Sequence, residues 1–532
     1  MTDKKQKLEL TWIGKDEELK LEPRILIEDP NKSHGDPNSE NMLIYGDNLL
    51  ALKALEQDYA GLIKCIYIDP PYNTGSAFEH YDDNLQHSTW LNLMKPRLLI
   101  LRKLLSDDGI IFIQIDDEEQ AYLKVLMDEI FGREQFIGNF IWFGRSGKGG
   151  TSSNIANQHE YILCYGKTIQ STIKKEVRIA IGGNYSDEVG KYKREALRQW
   201  GQGDRRVDRP SMWYEILAPD GENIYPYKED GTEGRWRVGQ NTFKQLLIDN
   251  LIDFVLENSK WKVYKKIRDG RITGSVYGTL LLEYGTSATA TAEIKTLYGS
   301  KSFETPKPEK LISHLINISS NPRDFVLDSF LGSGTTISVA HKMNRRWIGV
   351  EIGNHINTHC LPRLKKVVDG NDRLPLSEAL DWKGGGGFKF YNLAPSLLRK
   401  DSFGNFVIDE QYNANMLAAA MCKHEGFRYS PDEAIYWKQG KSTETDYIFV
   451  TTGFVTKEQL DAVHAQMTEN ESLLICTKSF APGSENHYSN ITIKKIPQMI
   501  LGKCEFAKDN YDLNIVKATI EETEESSEAQ DE

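Results

Sequence analysis

Two stretches of the chain carry residue types that could do chemistry. In "IYIDPPYN", Asp69 and Tyr72 bracket two prolines at the end of an apolar run. Proline has no backbone donor and a fixed φ, and the residue before it is held extended. Asp69-Pro70-Pro71-Tyr72 is therefore a stiff bend that presents one carboxylate and one aromatic ring. In "VLDSFLGSGTTISVAHKMNRRWIGVEI", Gly332-Ser333-Gly334 falls between an apolar strand and a helix. Glycines there let a ligand approach the backbone, and the helix N-terminus offers free amides. Glu351 ends the next strand, 23 positions after Asp328. An acidic residue at that place can accept both hydroxyls of a ribose.

Two absences narrow the ligand. Ile337 stands where a dinucleotide fingerprint has its third glycine, and no G-x-x-x-x-G-K-[ST] loop for a triphosphate occurs. A nucleoside without a pyrophosphate fits better, and S-adenosylmethionine belongs to that class.

These loops need a sheet to hold them. From Met42 the sequence alternates "MLIY", the turn "GDN", the helix "LLALKALEQ" and the buried strand "LIKCIYI". A helix from about Ser88 to Leu105 follows, closed by Asp108-Gly109, then strand "IIFIQI" and helix "EEQAYLKVLMDEIF". Continuous apolar strands alternating with helices predict a doubly wound, mostly parallel, Rossmann-like α/β sheet. The rhythm breaks near Trp142, passes one more strand at "EYILCYG", and returns at Lys310. The expected divisions are an N-terminal extension (1–40), a first catalytic part (41–167), an insert (168–300) and a cofactor-binding part (301–380). A C-terminal α+β domain (381–515) and a disordered acidic tail (516–532) follow.

The bulk numbers agree with a globular protein. A chain of 532 residues, 39% hydrophobic and 27% charged, can fill roughly two to four domains. No apolar run is long enough to span a bilayer, and "MTDKKQKLEL" lacks the apolar core of a secretory signal. The six cysteines (Cys65, Cys164, Cys360, Cys422, Cys476, Cys504) form no C-x-x-C pair. That argues against zinc or a disulfide framework and predicts no metal site and a cytoplasmic location. The net charge of −12 is unevenly spread: residues 141–300 carry 24 Lys and Arg against 19 Asp and Glu, whereas 371–532 carry 16 against 26. A basic, aromatic middle, as in "KYKREALRQWGQGDRRVDRP" and "KWKVYKKIRDGR", suits phosphate contact.

The order "DPPY" then "DSFLGSGTT" resembles the amino-methylating DNA methyltransferases of the permuted β class, in which a target-recognition insert separates the two motifs. "FETPKPEKLI" resembles the element before the Gly motif, and "NQHEYILCYGK" the last element before the insert. With "LTWIGK", "MLIYGDNLLALKAL" and "DPPYNTGSAFEHYDDN", the wider match resembles the Mod subunit of type III restriction-modification systems. Ser329 departs from the pattern, which more often has proline, and should loosen the turn without removing a contact. The resemblance implies adenine-N6 methylation of double-stranded DNA from S-adenosylmethionine, a homodimer, and a separate nuclease-ATPase chain.

On that reading Asp69 and the Pro70 carbonyl accept the two N–H bonds of the target amine, since the peptide after Pro70 has no competing donor. Tyr72 would stack on the extruded base. Asn73, Phe78 and Tyr81 would add contacts to DNA, or simply pack. The resemblance puts Asp328 at the methionine amine of the cofactor and Phe330 beside its adenine, with Gly332, Gly334 and Thr335 forming the turn. Lys307 either meets the cofactor carboxylate or is a solvated surface lysine. Asp47 either reaches the cofactor's adenine amine or caps the helix that starts at Asn48 or Leu49. Asp116 and Asp117 either face the site or cap the next helix. Methylation of cytosine N4 goes more often with Ser at the position of Asp69 and ranks below adenine. An inactive recognition subunit and an RNA methyltransferase are the remaining readings.

Overall fold

The computed structural model describes residues 9–17, 19–72, 83–145, 155–485 and 487–506. Six parallel strands form its centre. Their order is Gly387–Leu393, Met42–Tyr45, Arg346–Glu351, Phe325–Asp328, Ile63–Ile68 and Leu105–Ile115. His159–Gly166 adds to Leu105–Ile115 antiparallel, Phe136–Phe143 pairs antiparallel beyond it, and Leu280–Leu281 closes that side. At the other edge Leu26–Glu28 runs antiparallel to Gly387–Leu393. Leu43, Ile44, Ile66, Ile68, Ile111, Ile113, Val326, Leu327, Ile348 and Val350 are fully buried. Helices such as Asn48–Tyr59, Asp83–Leu104 and Thr335–Lys342 bury the sheet, so these strands read as continuous apolar runs.

Several expected boundaries move. The long helix ends at Leu104, and pairing resumes at once, because Leu105 sits opposite Ile63 before a register shift that brings Ile110 opposite Cys65. Asp108-Gly109 thus lies inside an irregular stretch of strand rather than in a separate turn. The N-terminal extension and the segment after 381 are not apart from the sheet. Gly387–Leu393 pairs with Met42–Tyr45, and Leu26–Glu28 pairs with it in turn. The expected insert is trimmed at both ends: Lys174–Gly278 forms its own compact unit. Residues 279–300 return to the sheet unit through Leu280–Leu281 and the helix Ser287–Tyr298, whose Ala290 and Ile294 are buried.

The Lys174–Gly278 unit is built on an antiparallel sheet, Ile252–Glu257, Lys260–Arg268, Gly190–Ala196 and Tyr185–Asp187. Leu197, Ile216, Trp236, Phe243 and Val263 form its core. Residues 428–495 carry a five-stranded sheet whose last three strands, Asp446–Val455, Ser472–Phe480 and Ile491–Lys495, are parallel. This region belongs to the same compact unit as the large sheet. Gln57 Nε2 donates to the Phe427 carbonyl at 3.0 Å, and Leu397 N to Glu22 Oε1 at 2.6 Å. The expected acidic tail lies outside the described residues.

A buried ionic hub lies under the Gly-rich turn. Lys342 Nζ is 2.6 Å from Glu309 Oε2 and 2.7 Å from Asp372 Oδ2. Arg363 donates to Glu309 Oε1 at 2.9 Å and to Thr335 Oγ1 at 2.8 Å. Glu309 opens the helix Glu309–Ser319, where its charge also meets the positive end of the helix dipole. Burial, with Glu309 nearby, pushes the Glu293 carboxyl up to about 7, so near neutrality this residue adds less than a full negative charge. Lys342→Met would leave the buried Asp372 without its ion partner and Glu309 with Arg363 alone. It should cost about 3–5 kcal/mol, read as a lower unfolding midpoint in thermal or urea denaturation.

Candidate active site

The Asp69 bend leaves the end of strand Ile63–Ile68, and Asp328 ends the neighbouring strand Phe325–Asp328. From these neighbours the chain departs in opposite directions across the sheet, to Leu105–Ile115 and to Arg346–Glu351. A switch of this kind opens a crevice at the carboxyl ends of parallel strands. The crevice is a cavity of about 650 Å³, within the usual range for a small-molecule site.

Trp90 Nε1 donates to the Pro71 carbonyl at 2.6 Å and fixes the bend to the helix Asp83–Leu104. The Tyr72 hydroxyl lies 2.7 Å from Asp69 Oδ1 and 2.8 Å from Glu160 Oε2. A hydroxyl has one proton, so it donates to one of these carboxylates at a time. Lys307 Nζ is 2.6 Å from Asp69 Oδ2 and 3.6 Å from Glu160 Oε2. Gln114 Nε2 donates to Glu160 Oε2 at 2.5 Å, and the Tyr67 hydroxyl donates to Gln114 Oε1 at 2.5 Å. Burial pushes the Asp69 carboxyl up; Lys307 pulls it back and Glu160 adds to the rise. Burial opposes the charge on Lys307, but Asp69 and Glu160 outweigh it and keep the amine protonated.

The second wall is built from the later motif. Gly332 and Gly334 take φ of +56° and +76°, the left-handed region that glycine adopts without strain. At Gly334 an added Cβ would also come 3.2 Å from Cys360 Cα. Glu351 accepts the Gly332 amide at 2.7 Å and the Gly353 amide at 2.8 Å, and still lines the cavity. Asn48 Nδ2 donates to the Ser329 carbonyl at 2.7 Å, and Arg97 Nε to Asn48 Oδ1 at 2.6 Å. The turn at Ser329 is thus tied down by the first half of the chain, with no proline needed. Burial pushes Asp328 up to about 7, against hydrogen bonds from Thr336 and the Phe330 amide.

One cavity therefore gathers Asp69, Pro70, Pro71, Tyr72, Lys307, Phe330, Gly332 and Glu351. Lys307 is 8% exposed and faces the Asp69 bend, not solvent. Asp47, Asp328, Gly334 and Thr335 stand behind the wall. Asp47 caps the helix Asn48–Tyr59 through the Leu50 amide at 2.9 Å and faces Arg97 Nη2 at 3.5 Å. Thr335 Oγ1 is held by Arg363. Asp116 lines the cavity, where burial lifts it to about 6, while Asp117 accepts from Asn157 Nδ2 at 2.7 Å. Asn73, Phe78 and Tyr81 lie outside the described residues.

Glu160, Gln114, Phe303 and Arg363 were not singled out by their sequence context. Two of them left a signal: Glu160 and Gln114 are polar residues inside otherwise apolar strands, "HEYILCYG" and "IIFIQI". Phe303 and Phe330 put two rings on the cavity, and Asp69, Asp116, Glu160, Glu304 and Glu351 outnumber Lys307 and Arg145 there. Such a lining fits a cationic nucleoside with one flat ring.

Residues 63–359 match the family described as DNA methylase, spanning both motifs and the insert between them. The chain belongs to this family. A probable type III restriction-modification Mod subunit, HindVI, from Haemophilus influenzae is 32% identical over 68% of this chain and 55% of its own length. The type II methyltransferase M.KpnI from Klebsiella pneumoniae is 34% identical over 59% of this chain and 79% of its own. The EcoPI Mod subunit of Escherichia phage P1 is 32% identical over 64% and 62%. The chain thus spans little more than half the length of the curated Mod relatives it matches.

Removing the ammonium from the catalytic bend gives a test of this electrostatic arrangement. Lys307→Met should raise the Asp69 carboxyl further and destabilise the folded protein at neutral pH. A carboxyl raised in the folded state favours folding when protonated, so the penalty should shrink as pH falls. Thermal unfolding at about pH 7 and about pH 5 should show the larger deficit at the higher pH.

Proposed function

We propose that the protein methylates the N6 amine of adenine in double-stranded DNA, using S-adenosylmethionine. The observation that carries this is the single cavity shared by the Asp69 bend and the Gly332 turn, with acidic groups around it. S-adenosylmethionine supplies an electrophilic methyl on a positively charged sulfur. Phe330 and Phe303 would flank its adenine and Glu351 its ribose, with the carboxylates of the cavity favouring the sulfonium. Asp328 and Asp47 would act from behind the wall, Asp328 at the methionine amine. The Gly334 and Thr335 backbone would shape the turn.

Asp69 and the Pro70 carbonyl would accept the two N–H bonds of an extruded adenine and aim its lone pair at the methyl. Alignment of this kind is worth roughly 7–11 kcal/mol in favourable intramolecular cases. As the new C–N bond forms the C–S bond breaks, and the nitrogen then gives up a proton toward the carboxylates. Tyr72 would stack against the base, with Asn73, Phe78 and Tyr81 adding contacts to DNA. Asp69, rather than a serine, favours adenine over cytosine N4.

The relatives named as Mod subunits support a role as the modification and recognition chain of a type III system. Such a chain would act as a homodimer beside a separate restriction subunit. The Lys174–Gly278 unit would read the target.

Incubation with methyl-labelled S-adenosylmethionine and duplex DNA should yield N6-methyladenine on nucleoside analysis. N4-methylcytosine, or label in RNA in preference to DNA, would overturn the substrate assignment. Asp69→Ala should reduce transfer by a factor of about 1,000 or more while titration shows cofactor binding retained.

A further inference from the structure

Both oxygens of Asp69 are already engaged, Oδ1 by the Tyr72 hydroxyl at 2.7 Å and Oδ2 by Lys307 at 2.6 Å. An incoming amine needs at least one of them. Whatever leaves Asp69 must go to an acceptor as good as the one it gives up, since a buried ammonium without a partner is costly. The cavity holds one such acceptor within reach of both groups. Glu160 Oε2 is 2.8 Å from the Tyr72 hydroxyl and 3.6 Å from Lys307 Nζ. Its own place is fixed by Gln114, which the Tyr67 hydroxyl locks from the next strand.

Building on the methyltransferase reading, we infer that Glu160 is a positioning residue that takes Lys307 and Tyr72 over from Asp69 when the target amine arrives. The closed arrangement has Lys307 and Tyr72 on Asp69. In the open one both sit on Glu160, and Asp69 turns a vacant oxygen to the amine. Lys307 keeps a carboxylate partner in both arrangements, and the Asp69 oxygen that the lysine leaves is taken up by the N–H of the incoming amine. A short movement of the Lys307 ammonium, from beside one carboxylate to the other, is all the side chain must make. The same carboxylate stands next to the amine's proton after transfer, through the Tyr72 hydroxyl, so the proton can leave Asp69 along that path. Besides these four side chains, the titratable groups facing the cluster among the described residues are Tyr67, Asp116 and Asp328.

Glu160→Gln keeps shape and one acceptor but removes the charge that draws Lys307 away. Single-turnover transfer from labelled S-adenosylmethionine to duplex DNA, both at saturating concentration, should fall about 10- to 100-fold. Because Glu160 also holds Asp69 up, the acid limb of the pH–rate profile should move to lower pH. A purely structural role would depress the rate without moving the limb. Glu160→Asp, which keeps the charge, should return the limb toward the wild-type position, and it serves in place of the Gln variant if that variant does not fold. Wild-type rates in Glu160→Gln, or a loss with an unmoved limb, would overturn the inference. Absence of transfer by the wild-type protein would instead overturn the reading on which it rests.

Discussion

Parallel pairing of Phe325–Asp328 with Ile63–Ile68, which sets Leu327 opposite Ile66, puts two strand ends side by side. They come from parts of the chain separated by the whole Lys174–Gly278 unit. The meeting of the Asp69 bend with the turn after Asp328 follows from that adjacency, because each strand delivers its loop to the same edge. The separation itself costs little, since the entropy of closing a loop grows only with the logarithm of its length. An insert can therefore be carried between the two halves with little thermodynamic effect on the sheet. Additional ties span the gap: Asn48 holds the Ser329 carbonyl, and Lys307 meets Asp69 across 238 positions.

The cavity combines two demands that oppose each other. On the proposed reading a sulfonium and an amine that must lose a proton both favour carboxylates, and Asp69, Glu160, Asp328 and Glu351 gather there or just behind. Carboxylates crowded in a buried place raise one another's proton affinity and weaken the fold. A single lysine relieves part of this, and its position is fixed by residues next to it in sequence. Two residues on, Glu309 anchors Lys342 and Arg363, and Arg363 in turn holds Thr335 at the Gly turn. One short segment, "PKPEK", thus sets the electrostatics of the Asp69 bend and the position of the Gly332 turn at once. Prolines on both sides of Lys307 limit its backbone freedom, which keeps the two functions in register.

Strand character was legible where burial on both faces left continuous apolar runs, as in "LIKCIYI", "FVLD" and "IIFIQI". The rigid bend was legible because Pro-Pro admits few conformations, and the Gly turn because a strand–Gly–helix junction has local geometry. What the sequence left open depended on contacts between distant elements. Asp47 reads equally as a cap or as a ligand until Arg97 is seen facing it from another helix. Lys307 reads equally as a partner of the cofactor carboxylate or as a surface lysine until the sheet brings Asp69 to it. The edges of the domains slipped for the same reason. Nothing local in "FKFYNL" says that it pairs with "MLIY", and a break in strand–helix rhythm near 168 marks the last strand, not the point where chain contacts separate.

The composition of the insert illustrates how a sequence-level charge argument changes once geometry is known. Its modest positive excess suggested a surface rich in free cations. Many of those cations are engaged within the unit: Arg194 with Asp253, Lys266 and Arg268 with Asp187, Arg206 with Glu233, and Arg237 with Glu195. The more exposed of these pairs, Arg206–Glu233 and Arg237–Glu195, add little stability, but they orient planar guanidinium groups and hold long side chains in place. Arg198 lies 3.7 Å from the centroid of the half-exposed Trp200 ring, an arrangement that keeps its charge while fixing its direction. For the proposed duplex, then, recognition would draw on a few oriented groups rather than on a diffuse positive field. A field of loose lysines would bind any polyanion, whereas fixed donors discriminate by position. That is the property a target-reading unit needs, and it is compatible with a chain whose net charge is negative.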